Sequence, residues 1–262
     1  MYSPNPQYPN TALITGASSG IGEAFARKLS SLGFNVIIVA RRIERLEKLA
    51  EEIRTKHKVE VIVIQADLSE ENFLQKIIDA VGEKEIGILI NNAGLGSVGE
   101  FADADAEHEI KMVKVNCVAP TILTHHFLQG MIKRKSGAII FLGSILSFQP
   151  TPFSAAYSAT KAFNSFLGDA LWYELKKHNI DVLSLNPGGT DTEFLRLSKR
   201  SSAIIRTPEE VVEAALKALG KKPSVIDGVI NKIMIPLGKF LPRKILINVT
   251  GFISGILHEK RK

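Results

Sequence analysis

One cysteine, Cys117, stands in 262 residues. No intrachain disulfide can form, zinc sites built on several thiolates are excluded, and the composition suits a reducing compartment, with the cytoplasm as default. Long uncharged apolar runs are also missing: no stretch of 18 such residues occurs, which argues against a spanning helix. The opening MYSPNPQYPN carries neither a basic stretch nor an apolar core, so it reads as a flexible lead-in over residues 1–10 rather than a secretory signal. No Pro/Gly/Ser linker, repeat period or low-complexity block divides the chain. The six histidines show no metal-ligand spacing, and the adjacent pair His125 and His126 points different ways on a helix, so no metal is expected.

The net charge is +6, but it is unevenly spread. From Lys221 onward nine Lys or Arg face two acids, which puts +7 on the tail and leaves the body near −1. A nucleic-acid groove needs cations gathered on a folded face with aromatics among them. The body has neither pattern, and nucleic acid is not an expected partner.

What is present is a rhythm. Apolar runs rich in β-branched residues at Thr11 to Thr15, Val36 to Ala40, Val59 to Gln65, Ile86 to Asn91, Ala138 to Leu142 and Asp181 to Asn186 alternate with stretches of helical period. The first helix carries its apolar stripe as Ile21, Ala24, Phe25, Leu29 and Leu32, the second as Ile43, Leu46, Leu49, Ala50 and Ile53. Thr207, Pro208, Glu210 and Gly220 frame a further helix with N-cap, first-turn proline, capping box and terminating glycine. The pattern predicts a single α/β domain over residues 11–220, built of βαβ units around a parallel sheet, with a basic extension over 221–262.

After the first strand comes Thr15-Gly16-Ala17-Ser18-Ser19-Gly20-Ile21-Gly22, opening a helix. A pyrophosphate is held there by backbone N–H groups and the positive end of the helix dipole, at a distance that side chains would block. Strand, glycines and helix in that order make a Rossmann-type doubly wound sheet the expected fold; turns that use glycine for steric reasons alone are the plain alternative. At the end of the second strand an NAD site carries an acid for the ribose 2′-hydroxyl. The sequence has Arg41 and Arg42 instead, with no acid to repel a 2′-phosphate, which favours NADP(H). Arg41 is the expected phosphate contact; Arg42 could equally begin a solvated helix with Glu44, Arg45 and Glu47.

Tyr157 and Lys161 lie four residues apart, on one face of a helix. A phenol titrates near 10 and becomes a useful base at neutral pH only beside a fixed positive charge. With that charge Tyr157 could exchange a proton with a substrate oxygen while hydride moves at carbon. A Tyr/Lys pair alone is common on surfaces.

Taken together, TGASSGIG, Asn91-Asn92-Ala93-Gly94, Asn116, Ser144 thirteen residues before Tyr157, YSATK, and Pro187-Gly188 followed by Thr192 resemble the Tyr-Lys type of short-chain dehydrogenase/reductase, in order and spacing, over residues 10 to 220. The resemblance implies that Ser144 hydrogen-bonds the substrate oxygen. Lys161 would bind the nicotinamide ribose and lower the tyrosine's pKa, and Asn116 would hold a proton-relay water. Asp67 and Leu68 would sit at the adenine, and Asn92, Ala93 and Gly94 along its ribose. Pro187, Gly188, Thr190 and Thr192 would meet the nicotinamide end, with Thr192 toward the carboxamide. Thr190 departs from the small apolar residue more usual at that place.

Substrate choice is expected from Gly189 to Arg206 and from Leu95, Gly96, Ile145, Leu146, Phe148, Pro150 and Phe153, mainly apolar side chains that suit a lipophilic carbonyl compound. Cys117 reads as an inert, small buried residue, and Phe166 and Trp172 as packing or homo-oligomer contacts. In the tail, Ile226, Ile230, Ile233, Leu237 and Phe240, then Ile245, Val249, Phe252 and Ile256, follow helical spacing, interrupted by Pro236 and Pro242. A pocket cap, a subunit contact and a peripheral membrane surface all remain open for it. The expected activity is hydride transfer between NADP(H) and a lipophilic carbonyl or alcohol; the alternative is a non-catalytic NADP-binding regulatory or scaffold protein.

Overall fold

Seven parallel strands, in the order β3-β2-β1-β4-β5-β6-β7, make the sheet in a computed structural model that describes residues 8–197, 205–238 and 240–259. They are β1 (Thr11–Thr15), β2 (Asn35–Ala40), β3 (Val61–Gln65), β4 (Ile88–Asn91), β5 (Gly137–Leu142), β6 (Ile180–Asn186) and β7 (Ser224–Ile226). Continuous apolar runs form them because both faces are covered. Ile14, Ile38, Ile90 and Ile140 enter one core with α1 (Gly20–Ser31), α2 (Ile43–His57) and α8 (Pro208–Ala218). Their neighbours Leu13, Ile37, Leu89 and Ile139 enter the other, with α3 (Phe73–Val81), α5 (Ala119–Arg134) and α6 (Ala155–Glu174). Alternation along each strand thus fills two cores from one apolar run.

Six strands expected from the sequence form within two residues of their expected bounds. The helical stripes also hold: Phe25, Leu29, Leu46 and Ala50 are fully buried. On α8 the Thr207 hydroxyl accepts from the Glu210 N–H at 3.2 Å while the Glu210 carboxylate accepts from the Thr207 N–H at 3.0 Å. Gly220 follows at φ +75°. Strand order reverses between β1 and β4, so a crevice opens where their carboxyl ends part.

Four expectations need correction. Residues 8–10 are not a lead-in: Tyr8 is buried and its hydroxyl donates to Asp181, while residues 1–7 lie outside the described residues. The boundary near residue 220 cuts through the sheet, because Leu185 pairs with Val225. Ile226 is therefore a strand residue and not part of a helical stripe. Pro236 lies within the last turn of α9 (Val229–Gly238) rather than ending it; α10 (Arg243–Glu259) follows Pro242. Residues 198–204 of the expected substrate segment, with Lys239 and 260–262 of the tail, also fall outside the described residues.

Candidate active site

A cavity of about 470 Å³ runs along the carboxyl ends of the strands, from Arg41 and Arg42 at one end to Phe153 and Ser254 at the other. Of the catalytic and cofactor residues expected from the sequence, Gly22 and Asn116 stand back from its wall and the others line it.

At the first end the glycine turn is held by the protein itself. The Thr15 hydroxyl accepts from the N–H groups of Asn92 and Ala93, both at 3.0 Å. The Asn92 amide donates to the carbonyl of Thr15 at 2.8 Å. A Cβ on Gly16 would come within 2.8 Å of Ala93 Cα, and one on Gly22 within 2.4 Å of the Asn92 amide nitrogen. Gly22 therefore leaves room for the Asn92 amide and the Gly16 carbonyl. The Asn92 side chain is spent on the turn, which leaves its backbone to face the cavity. Ser18 and Ser19, at the N-terminus of α1, also line it.

The two arginines reach different partners. Arg42 reaches back into the turn, donating to Ser19 Oγ at 2.9 Å and Ser18 Oγ at 3.1 Å. Arg41 lies farther out, 3.8 Å from a carboxylate oxygen of Asp67. An acid is present after all: Glu193, at the start of α7 (Glu193–Leu197), pairs with Arg42 at 2.7 Å and Arg45 at 2.6 Å. Hydrogen bonds from Arg42, then Arg45, hold its carboxyl below the usual range. Some 150 residues separate these partners, so no local pattern could reveal the contact. Burial pushes the Asp67 carboxyl up, but the Ser69 hydroxyl and N–H and the Lys111 ammonium at 2.9 Å outweigh it and bring it down to about 2.

In the middle of the cavity, α6 presents Tyr157 and Lys161, both buried. The ammonium lies 5.8 Å from the phenol ring centre and donates to the Leu142 carbonyl at 2.9 Å. Ser144 caps a short turn at the end of β5, its oxygen accepting from the Leu146 N–H at 3.1 Å. That bond uses a lone pair, and the hydroxyl proton can still be given to a substrate oxygen. The Ser144 N–H donates to Ser147 Oγ at 3.0 Å, and the Ser147 hydroxyl donates to the Lys161 carbonyl at 2.8 Å. Ser147 thus ties the Ser144 turn to the helix that carries Tyr157.

Behind them Asn186, with no exposed surface, accepts from the Ser165 hydroxyl at 2.6 Å and the Ser144 N–H at 3.2 Å. A Cβ on Gly143 would meet its oxygen at 2.2 Å. The Asn116 amide donates to the Leu95 carbonyl and Thr160 Oγ, both at 2.9 Å, and accepts from the Leu95 N–H at 2.8 Å. Both amide protons are thereby committed, and the second lone pair of the oxygen remains for a water.

Pro187, Gly188, Thr190 and Thr192 continue the wall, with the Thr190 hydroxyl donating to the Gly188 carbonyl and the Thr192 hydroxyl to the Thr190 carbonyl, both at 3.3 Å. Beyond Tyr157 the wall is mostly apolar: Leu95, Val98, Ile145, Leu146, Phe153 and Phe194. The Phe194 ring is 5.8 Å from that of Tyr157. Phe148 and Pro150 stand behind the wall instead, Pro150 accepting a hydrogen bond from Thr250 of α10. Phe166 is exposed, whereas Trp172 packs on the core with the Lys176 ammonium 3.3 Å from its ring centre.

Ser147, Asn186, Glu193 and Ser254 are functional-site residues the sequence reading missed. Asn186 reaches Ser144 across 42 residues and Glu193 reaches Arg42 across 151, while Ser147 and Ser254 belong to no motif, so no spacing rule marks any of them.

Comparison with known proteins places these observations. A short chain dehydrogenase family model matches residues 10–202. A solved 7beta-hydroxysteroid dehydrogenase is 31% identical, with a TM-score of 0.87 over 93% of this chain and 97% of that one. A short-chain dehydrogenase from Sphingobium yanoikuyae, solved in complex with NADPH, is also 31% identical, with a TM-score of 0.79 over 90% of this chain and 97% of that one. A relative from Homo sapiens, an inactive hydroxysteroid dehydrogenase-like protein 1, is 34% identical over 220 residues, 82% of this chain and 67% of its own length.

Proposed function

The chain belongs to the short-chain dehydrogenase/reductase family, and from that premise we propose that it is an NADP(H)-dependent oxidoreductase of bulky, lipophilic ketones or secondary alcohols. The observation that carries this reading is the buried pair Tyr157 and Lys161 facing the same cavity as Ser144 and the glycine turn. An inactive relative shows that the family's fold does not by itself guarantee turnover. The complete set here argues for catalysis, since a pure binder has no need of a buried phenol beside an ammonium.

A dinucleotide fits the residues present. Guanidiniums stand at one end for a phosphate, the N-terminus of α1 and its serines follow for the pyrophosphate, and the ammonium of Lys161 waits where a ribose would lie. When bound, the nicotinamide supplies or accepts the hydride. Ser144 and Tyr157 polarise the substrate oxygen from their hydroxyls, and Tyr157 gives that oxygen its proton in reduction or takes it in oxidation. The Lys161 ammonium stabilises negative charge on the phenol oxygen, and its bond to the Leu142 carbonyl fixes it in place. Among the described lining residues the cations are Arg41, Arg42 and Lys161; none faces the apolar end, which suits a neutral, greasy substrate and agrees with the hydroxysteroid dehydrogenase likeness. A cytoplasmic location and homo-oligomer formation, with exposed Phe166 at the contact, belong to the same proposal.

The test is reduced-nicotinamide consumption with NADPH and NADH separately, across hydroxysteroid-sized ketones and oxoacyl thioesters. Tyr157→Phe is expected to lower kcat by about 10²–10⁴-fold while NADPH still binds. A variant as active as the parent would end the assignment, and NADPH binding without turnover on any carbonyl would favour the scaffold reading.

A further inference from the structure

The last two helices carry most of their large apolar side chains outward. α10 turns its small and polar residues inward: Thr250 is buried with its hydroxyl on the Pro150 carbonyl at 3.0 Å. A Cβ on Gly251 would touch Pro152, and one on Gly255 would touch Phe153. Its large apolar side chains Ile245, Val249, Phe252, Ile253 and Ile256 point to solvent, Phe252 with 71% of its surface exposed. α9 buries Ile235 but leaves Ile230, Ile233, Met234 and Leu237 all more than half exposed, with Phe240 just beyond it at 84%. Both helices rest on the same Ile145–Phe153 segment: α9 packs on its first turn, and Gly238 lies against Leu246 of α10. Their outward faces therefore form a single apolar surface, far larger than isolated exposed residues would make.

Charge decides what covers it. Between Asp227 and Glu259 the sequence holds no acid, while Lys232, Lys239, Arg243 and Lys244 lie among the apolar residues. Lys232, Arg243 and Lys244 are exposed. A symmetric contact with a second copy would press this surface onto itself and bring like charges together. An anionic surface pairs with it instead. Among the described residues no helix is long and apolar enough to cross a membrane, so the helices would lie on the bilayer. We propose that the outer faces of α9 and α10 dock the protein on an anionic lipid surface, the apolar side chains entering the headgroup boundary and the cations meeting lipid phosphates and carboxylates. Ser254 of α10 lines the cavity, so a wall of the site would sit at that boundary.

The test is co-sedimentation of the full chain with phosphatidylcholine vesicles, with and without phosphatidylserine. Wild type is expected to bind the phosphatidylserine vesicles and to be released by salt. Phe252→Asp/Ile253→Asp and, separately, Lys232→Glu/Arg243→Glu/Lys244→Glu should each lower binding by roughly tenfold or more. NADPH affinity and circular dichroism should match wild type, and the second variant alters only exposed side chains, so it tests the surface even if the first folds poorly. Wild type that stays in solution with both vesicles would overturn the proposal, as would variants that bind as well as it does. A dimer in light scattering that Phe252→Asp/Ile253→Asp dissociates, without any vesicle binding, would assign the surface to a second copy and overturn it too. Vesicle binding is read without turnover, so its failure and that of the enzyme assignment are separate results.

Discussion

On the proposed placement of the 2′-phosphate at Arg42, Glu193 competes with it, and Glu193→Gln measures that competition. Its carboxylate engages Arg42 at 2.7 Å and Arg45 at 2.6 Å, and Arg42 is the guanidinium drawn against Ser18 and Ser19 at the mouth of the glycine turn. A 2′-phosphate that recruits these arginines has to displace or share the acid. The side chains are 28%, 40% and 50% exposed for Glu193, Arg42 and Arg45, so each pair contributes within the range of exposed ion pairs, about 0.2–1 kcal/mol. Removing the charge while keeping the shape should tighten NADPH by about 0.5–1.5 kcal/mol, or roughly 2–12-fold in Kd. NADH presents only a hydroxyl at that place, and its Kd should hardly move. Titration calorimetry of both cofactors with wild type and Glu193→Gln at low and high salt provides the comparison, and added salt should shrink the NADPH gain. Weaker NADPH binding, or equal tightening of both cofactors, would show that Glu193 positions the arginines instead of opposing the phosphate.

Other consequences follow from half-buried groups and from close packing. Burial, opposed by the Lys161 charge, pushes the Cys117 thiol up to about 11; at pH 8 its alkylation by iodoacetamide should run about 100-fold slower than that of an ordinary exposed thiol, and labelling at the ordinary rate would refute the assignment. Asp67 is held at about 2 against a usual 3.8, so its ionised form favours folding above pH about 4 and that contribution is lost as pH falls toward 2. After allowance for partial exposure it amounts to about 1–2 kcal/mol, visible as a urea-stability gap between wild type and Asp67→Asn that closes on acidification; a pH-independent gap would contradict it. Gly143→Ala puts a Cβ 2.2 Å from the Asn186 oxygen and 2.4 Å from Ser165 Oγ. The clash should cost about 1–3 kcal/mol, lower Tm by roughly 2–10 °C and weaken turnover through Ser144; an unchanged Tm in calorimetry would deny the tight packing.

The parallel sheet was legible because apolar runs covered on both faces announce themselves without reference to anything distant. Leu13 and Ile14 need no partner named in advance to read as strand. β7 escaped because three residues give no period, and their place in the sheet comes from pairing with β6. Tyr157 and Lys161 were legible from four-residue spacing and the motifs around them. The contest over Arg42 was not: its local sequence does look like the start of a solvated helix, and Ser18, Ser19 and Glu193 reach it only through the fold. The tail misled in the opposite sense. Helical spacing of apolar residues normally marks a buried stripe, yet on α10 Ile245, Val249, Phe252 and Ile256 lie outside while Thr250, Gly251 and Gly255 lie within, and α9 buries Ile235 but exposes Ile230, Ile233 and Leu237.

That inversion bears on how the site is held together. The catalytic turn is fixed less by apolar packing than by a buried polar lattice in which Ser144, Ser147, Ser165 and Asn186 satisfy one another. Asn186 is joined on its far side to Ser224 of β7 at 3.1 Å. Buried groups of this kind are costly unless fully paired, and when paired they admit few arrangements. They can therefore hold the Ser144 hydroxyl and the Tyr157 helix in register without large side chains that would fill the cavity. The apolar residues not needed there are free to line the far wall or, on the last two helices, to face outward. The division of labour explains why residues 221–262 cannot be treated as an appendage: β7 closes the lattice behind Ser144, and α10 closes the cavity in front of it.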